Sequence, residues 1–317
     1  VTNDFNFQSN NYYFKNGFVT NYLVNFKNLN TVAKNDSKYK SSLQSEILNI
    51  NQLNFTYPLI KEEDKFSNYL TPKISFKINP SDMKDYSTDS KLITTDNAFN
   101  INRLGLSDSF ESGKSLTLGL DYRKENKDDI NKYFELKFAS VLRDTPEYKI
   151  PKSSSLQDKT SNLFGSIENK FSEYLTVNYN FSLDNNLKNF EHNDIKTEFK
   201  FENFESKFRF HESTGKVGSS NYFENETSFN FDENNSLAFK TRRNRKISLT
   251  EYYDLVYEYQ NDCLTAALKY RKTYYEDRDA IPKEDLFFSI SLFPLATLEQ
   301  KIDKNLYRDS NNDIIWK

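Results

Sequence analysis

The sequence predicts an all-β protein, an antiparallel transmembrane β-barrel present as an incomplete part of a larger barrel, with about fifteen strands. Three observations carry this expectation: strict period-two alternation, long strand segments, and short links that alternate with longer ones. Leu116, Leu118, Leu120 and Tyr122 alternate with Ser115, Thr117, Gly119 and Asp121. Ile195, Thr197, Phe199 and Phe201 alternate with Lys196, Glu198, Lys200 and Glu202. Tyr253, Leu255, Tyr257 and Tyr259 share a face, as do Leu264, Ala266, Leu268 and Tyr270, with Asp254, Glu258, Lys269 and Arg271 opposite them. Successive side chains of a strand point to opposite faces, so each segment has one apolar and one polar side.

Length decides between a soluble sheet and a spanning one. Soluble strands average about 5–6 residues and a tilted membrane-spanning strand needs about 9–11; many segments here run about 9–12. The links then sort into two ends. Short ones fall at Phe171–Tyr174, Glu202–Asn203, Asp232–Asn235 and Asn261–Asp262, the expected periplasmic side. Longer ones at Glu212–Asn221 and Glu276–Asp285 lie at the other end, with 144–160 and the longest irregular stretch, about 79–114. These mark an extracellular end, and a long irregular loop there is often functional. Barrel strands are expected over 1–300 and a polar tail over 301–317, the alternation fading after Pro294.

Composition agrees. The 317 residues include 28 Phe and 21 Tyr, and aromatic residues make up 16% of a chain that is only 36% hydrophobic. A mean hydropathy of -0.82 would suit a disordered chain, but disordered chains are poor in aromatic residues. Lys and Arg number 43 against 46 Asp and Glu, giving a net charge of -3 and no general attraction to nucleic acid. No run approaches the about 20 apolar residues of a spanning helix. The chain opens at Val1-Thr2-Asn3-Asp4, with neither an initiator Met nor a signal peptide, and is expected to be the C-terminal part of a longer protein.

Candidate chemistry is sparse. A single Cys and two His leave little for a metal site or a nucleophile, and no catalytic residue, metal or cofactor is expected. His192 and His211, with Ser213, are what a barrel hydrolase could use, but no Gly-x-Ser-x-Gly turn accompanies them and solvated histidines are the stronger reading. Asp277, Asp279, Glu284 and Asp285 offer oxygen ligands without the spacing of a calcium loop. The basic cluster at Arg242-Arg243-x-Arg245-Lys246 places Lys240, Arg242 and Lys246 near a loop-side strand end, where they could pair a phosphorylated headgroup or form an interfacial girdle of snorkelling cations. Cys263 follows a short turn, hence the periplasmic rim. A lone Cys in an oxidising compartment points to a partner outside the chain, and an unpaired buried thiol is the alternative.

Taken in order, several motifs resemble the LptD (OstA) family of lipopolysaccharide-assembly outer-membrane proteins. They are Tyr57-Pro58-Leu59-Ile60 with Leu70-x-Pro72, then Asn97-x-Phe99-x-x-Asn102-Arg103 and Asp108-x-x-Glu111-x-Gly113. Ser153–Lys159 leading into Ser161, and Leu183-Asp184, follow. Last come Tyr257-x-Tyr259-x-Asn261-Asp262-Cys263, Asp277-Arg278-Asp279 and a final strand at Leu286–Leu292. The set spans roughly residues 50–295, with one Cys where some members carry an adjacent pair. The resemblance implies lipopolysaccharide translocation into the outer leaflet of a Gram-negative outer membrane, through a lumen and a lateral seam. Alternation, with a cost of about 2–4 kcal/mol for each charge facing lipid, puts Lys196, Glu198, Lys200, Asp254, Glu258, Lys269 and Arg271 toward a lumen, and the resemblance implies a seam strand carrying Leu286, Phe288, Ile290 and Leu292. It also implies an LptE-type lipoprotein plug, an LptA-type periplasmic bridge reached through an N-terminal domain, and a disulfide from Cys263 to that domain. The competing expectations are a general porin or receptor barrel, a soluble sandwich and a barrel hydrolase.

Overall fold

Alternation becomes strand wherever the sequence carries it. The structure is a computed structural model that describes residues 1–35, 39–275, 282–292 and 296–302. All named strands belong to one sheet, every pair whose register is defined is antiparallel, and among the described residues the helical content is one turn at Lys152–Ser154. The chain divides into two compact units, 1–171 with 178–194 and 213–219, and 172–177 with 195–212 and 220–317.

In the first unit the strands are β1 (Thr2–Gln8), β2 (Tyr12–Tyr13), β3 (Val19–Thr31), β4 (Gln44–Thr56), β5 (Leu59–Glu62), β6 (Phe66–Asn79), β7 (Gly113–Asn126), β8 (Tyr133–Arg143) and β9 (Leu163–Lys170). Strands β10 (Leu175–Leu183) and β11 (Phe190–Phe201) contribute residues to both units. β1 and β2 both pair with β3, β3 with β4, and β6 through β9 follow in sequence order. Pro72 sits in mid-β6, where a missing N–H should break a ladder. The break falls where β4 hands over to β5: Thr56 pairs with Lys73 and Leu59 with Leu70, so Pro72 lies in the gap between them. Its carbonyl still accepts from Tyr57 N–H at 3.1 Å.

The two faces of this sheet differ as alternation requires. Ile74, Phe76, Leu118, Leu120 and Leu142 stand on one face and stay exposed, Leu118 to 40%. Ser75, Lys77, Ser115, Thr117, Ala139, Val141 and Arg143 stand on the other and are buried. This inverts a soluble protein, where apolar side chains go inside, and suits a sheet whose apolar side meets lipid. On the apolar side the Phe181 ring lies over Gly165, so close that a Cβ there would come within 2.1 Å of it. The ring covers the backbone that glycine leaves bare.

The second unit contains β12 (Phe204–Ser213, its last residue excepted), β13 (Ser220–Asn230), β14 (Asn235–Asn244), β15 (Leu249–Gln260), β16 (Leu264–Thr273), β17 (Lys283–Leu292) and β18 (Ala296–Ile302). β13 through β18 pair in sequence order. The turns at 202–203, 231–234 and 261–263 are short, as expected. β12 and β13 run further into the expected loop 212–221 than alternation indicates, because Asn221 Nδ2 donates to Glu212 Oε1 at 2.8 Å and extends the hairpin. A bulge opposite Arg242 and Arg243 leaves Glu251 unpaired in the ladder. It aims its carboxylate at Arg242 Nε, 2.7 Å away.

One expectation is corrected. Leu286, Phe288, Ile290 and Leu292 do not form a terminal edge: β17 pairs with β16 on one side and with β18 on the other, Ile290 opposite Leu298. The strand pattern therefore continues to Ile302, two residues into the expected tail, and 303–317 lies outside the described residues. Pro294 masked it by interrupting the alternation, which resumes at Leu298, Gln300 and Ile302.

The face assignment has a direct consequence. Leu118→Arg, on the apolar face of mid-β7, is expected to destabilise the membrane-inserted protein by about 2–4 kcal/mol, against little change for Phe231→Arg in an exposed turn. Urea-dependent refolding of the full-length protein into lipid vesicles measures the difference.

Candidate functional site

The 33 residues between β6 and β7, 80–112, have no repeating pattern, yet they pack rather than project. Met83, Tyr86, Ile93, Ala98, Leu104 and Leu106 are buried against Ala139, Val141 and Phe164 of the polar-side face, and against Ile150 and Leu156 of the next loop. Further along, Phe110 packs with Leu48 and Ile50 of β4. The segment folds back over the sheet face that carries the polar residues.

Polar wall residues hold its backbone. Gln52 Nε2 donates to Phe99 O at 2.7 Å, Lys77 Nζ to Asn100 O at 2.8 Å, and Asn79 Nδ2 to Glu111 O at 3.0 Å. Lys73 and Lys27 place their ammonium groups 5.7 and 5.6 Å from the Phe99 and Phe110 ring centres, so lysines of the wall meet the loop's aromatic faces. Gly119 makes room for Phe99: a Cβ there would lie 2.6 Å from the ring. Asn97 and Asn102 shape the loop internally. Asn97 accepts from Thr94 N–H and donates to Leu92 O, while Asn102 does the same with Leu106 N–H and O. Asp108 accepts from the hydroxyls of Tyr39 and Tyr86.

At the centre lies a buried carboxylate between two guanidiniums. Arg103 grips Glu111 through Nε (2.6 Å) and Nη2 (2.5 Å), and Arg143 from β8 donates to the same carboxylate. The remaining Arg103 donors reach Thr117 Oγ1 and Ser115 Oγ, both at 3.0 Å, and Arg143 Nη2 reaches Ser112 O at 2.6 Å. Burial alone would raise the Glu111 pKa, but Arg103, Lys77 and Arg143 outweigh it and hold the group at about 2. The carboxylate is therefore charged at neutral pH, and a loop residue is locked to two adjacent strands.

The neighbouring loop, 144–162, completes the cover. Tyr86 N–H donates to Lys149 O at 2.8 Å, Lys91 N–H to Ser153 Oγ at 2.8 Å, and Ser112 Oγ to Glu147 Oε2 at 2.7 Å. Asn162 Nδ2 donates to Ser182 Oγ and Glu191 Oε2, and Lys216 Nζ pairs with Asp158 at 2.5 Å. Both loops leave the same end of their strands, the end opposite the turn 127–132 that joins β7 to β8.

A family profile described as LptD: LPS transport system D matches residues 4–210, about two thirds of the chain. The chain belongs to the LptD family. No curated protein matches the sequence. Among solved structures, a doubly substituted Rh. blastica porin has 9% identity and a TM-score of 0.36, covering 89% of this chain and 92% of its own. A triply substituted Rhodopseudomonas blastica porin has 8% identity and a TM-score of 0.37, with the same coverage. LptD proteins belong to a transport system of the outer membrane.

In this LptD chain the motifs at Asn97–Arg103 and Asp108–Gly113 are therefore the two halves of one latch. Sequence reading missed Arg143, whose partner is 32 residues away and signalled by no spacing rule. Asp254 is buried between Arg271, bonded through Nε and Nη2 at 2.6 Å each, and Lys269 at 3.2 Å. Lys196, Glu198 and Lys200 alternate with the exposed Ile195 and Phe199, and Glu258 lies on the Asp254 side of β15. Lys240 and Arg242 do not stand free for a headgroup: Lys240 pairs with Glu226 at 2.7 Å, and Arg242 with Glu251 and Glu224. Lys246 sits in the following turn, its N–H on Asn244 Oδ1.

His192 and Ser213 do meet, Nδ1 to Oγ at 3.3 Å, but both are buried and the neighbouring Thr214 N–H is taken by Glu191 O. Cys263 is exposed at the 261–263 turn, its N–H on Asn261 Oδ1 at 3.0 Å. Asp277 and Asp279 of the calcium alternative lie outside the described residues.

Glu111→Gln leaves two buried guanidiniums without their anion and is expected to weaken loop docking by about 3–5 kcal/mol. Because Glu111 is held below its ordinary 4.5, its contribution is complete above that pH and is lost as pH falls toward about 2. Hydroxyl-radical footprinting of residues 80–112 reads both effects: the variant is exposed at pH 7, the parent only as pH falls toward about 2.

Proposed function

We propose that this chain is a wall of the lipopolysaccharide translocon, with sugars passing along its polar face while lipid A leaves through a lateral seam of the complete barrel. The observation that carries the reading is the loop 80–112, held over the polar face by a charged latch and by hydrogen bonds to wall side chains. A passage for a large saccharide must be closed when idle and must open without breaking a covalent bond. Ionic and polar contacts that water or sugar hydroxyls can replace meet that requirement. The charged side chains Lys196, Glu198, Lys200, Asp254, Glu258, Lys269 and Arg271 are assigned to the lumen, because charges on a lipid face cost about 2–4 kcal/mol each near the midplane.

In this reading an LptE-type lipoprotein fills the lumen and an LptA-type bridge delivers lipopolysaccharide through a periplasmic domain. Cys263 forms a disulfide with that domain and holds its groove beneath the barrel. The exposed position of the thiol at a short turn supports this, since exchange needs access.

Two measurements test the reading. With Gln52→Cys and Phe99→Cys joined by a short cross-linker in the full-length protein, surface display of new lipopolysaccharide is expected to fall at least about tenfold. A cleavable linker restores it after reduction. Unchanged display with the loop tethered removes the gate. In the full-length protein Cys263 is expected to resist alkylation until reductant is added; equal labelling with and without reductant makes it a free thiol.

A further inference from the structure

The basic cluster on β14 splits between the two faces of the sheet, and only half of it is neutralised. Lys240 and Arg242 face Glu226, Glu224 and Glu251. Arg243, opposite Phe223 in the ladder, and Arg245 of the following turn stand on the aromatic side instead. Among the described residues neither has a carboxylate within ion-pairing distance. Arg243 is exposed; the Arg245 guanidinium lies 5.4 and 5.0 Å from the ring centres of Phe210 and Phe223, with one bond to Asn221 Oδ1 at 3.4 Å.

Beside these two cations the aromatic side is notched. Ile195, Phe208, Phe210 and Phe223 surround a groove of about 380 Å3 whose floor is Thr197, Asn225 and Thr241. That volume lies within the about 300–1,000 Å3 range of small-molecule sites. The small floor residues remove bulk without leaving polar atoms hungry. Asn225 Nδ2 donates to Lys207 O at 3.2 Å and Thr241 Oγ1 to Tyr252 O at 3.0 Å. Arg243 also lines the groove, as do Arg209 and Glu224, which pair with each other at 3.5 Å, and the Arg245 guanidinium lies over its Phe210 and Phe223 rings.

We propose that this groove is a resident site for a lipid with an anionic phosphate headgroup, its acyl chain along Phe208, Phe210 and Phe223 and its phosphate between Arg243 and Arg245. Charge complementarity selects this occupant. A neutral apolar partner leaves both cations unmatched at the membrane boundary, whereas guanidinium donors match phosphate oxygens in geometry and charge. The site lies apart from the loop latch and from the polar face, so it stands independently of the transport reading.

Native mass spectrometry of the full-length protein, delipidated in detergent and titrated with dioleoyl phosphatidylglycerol or dioleoyl phosphatidylcholine, tests it. The parent is expected to hold one phosphatidylglycerol at least about tenfold more tightly than phosphatidylcholine. Arg243→Gln with Arg245→Gln is expected to abolish that preference, Arg243→Lys with Arg245→Lys to keep most of it, and Phe208→Ser to weaken both lipids. Heat-dependent gel mobility confirms that each variant is folded before it is scored. Equal retention of the two lipids by the parent, or an undiminished preference in the folded double-Gln variant, overturns the site.

Discussion

Glu111 is the point at which the long loop stops being a loose connection and becomes part of the wall. Its carboxylate is shared by Arg103, eight residues earlier on the same loop, and Arg143, at the end of β8. Isolated, a buried charge of this kind is prohibitively costly, and with one partner removed it destabilises strongly. With both guanidiniums in place the loop, β7 and β8 are tied at one spot, and the contacts of Phe99, Phe110 and Tyr86 are positioned from there. Since such contacts form only in one arrangement, they specify where the loop lies more than they add stability.

The same sheet solves two solvent problems with one alternation. Its apolar side uses Phe and Tyr where a soluble protein would bury Leu and Ile. Many of these rings remain exposed, as Phe199 and Phe223 do, while others are half-buried where they pair, as Phe138 does with Phe181, or fill a glycine gap. Its polar side is crossed by ion pairs such as Arg271–Asp254–Lys269, which neutralise charge locally and leave a surface wettable without a strong net field. The departures from this division are informative: Arg243 and Arg245 are cations on the aromatic side, and the bulge at Glu251 supplies an acid for Arg242 on the other.

Strand positions, faces and the two kinds of connection were legible because period two and turn chemistry are local signals. Leu118 and Thr117, or Leu255 and Asp254, declare their sides from their neighbours alone. The irregular nature of 80–112 was legible too, as an absence of period. Its docking was not, because Arg103, Glu111, Gln52 and Arg143 are joined across separations that no spacing rule links. β18 escaped notice because a proline preceded it and its side chains are mixed. The headgroup expectation for Lys240 and Arg242 took charge density as availability, whereas cross-strand acids on β13 and the bulged Glu251 already engage both.

In the proposed reading the polar face is the path of the saccharide. Photo-cross-linking from positions 200 and 258 of the full-length protein in growing cells, with the supply of new lipopolysaccharide switched on or off, addresses it directly. Lipopolysaccharide adducts are expected at positions 200 and 258, and they disappear when supply stops. Assembled protein that yields no adduct at either position while transport continues would contradict it.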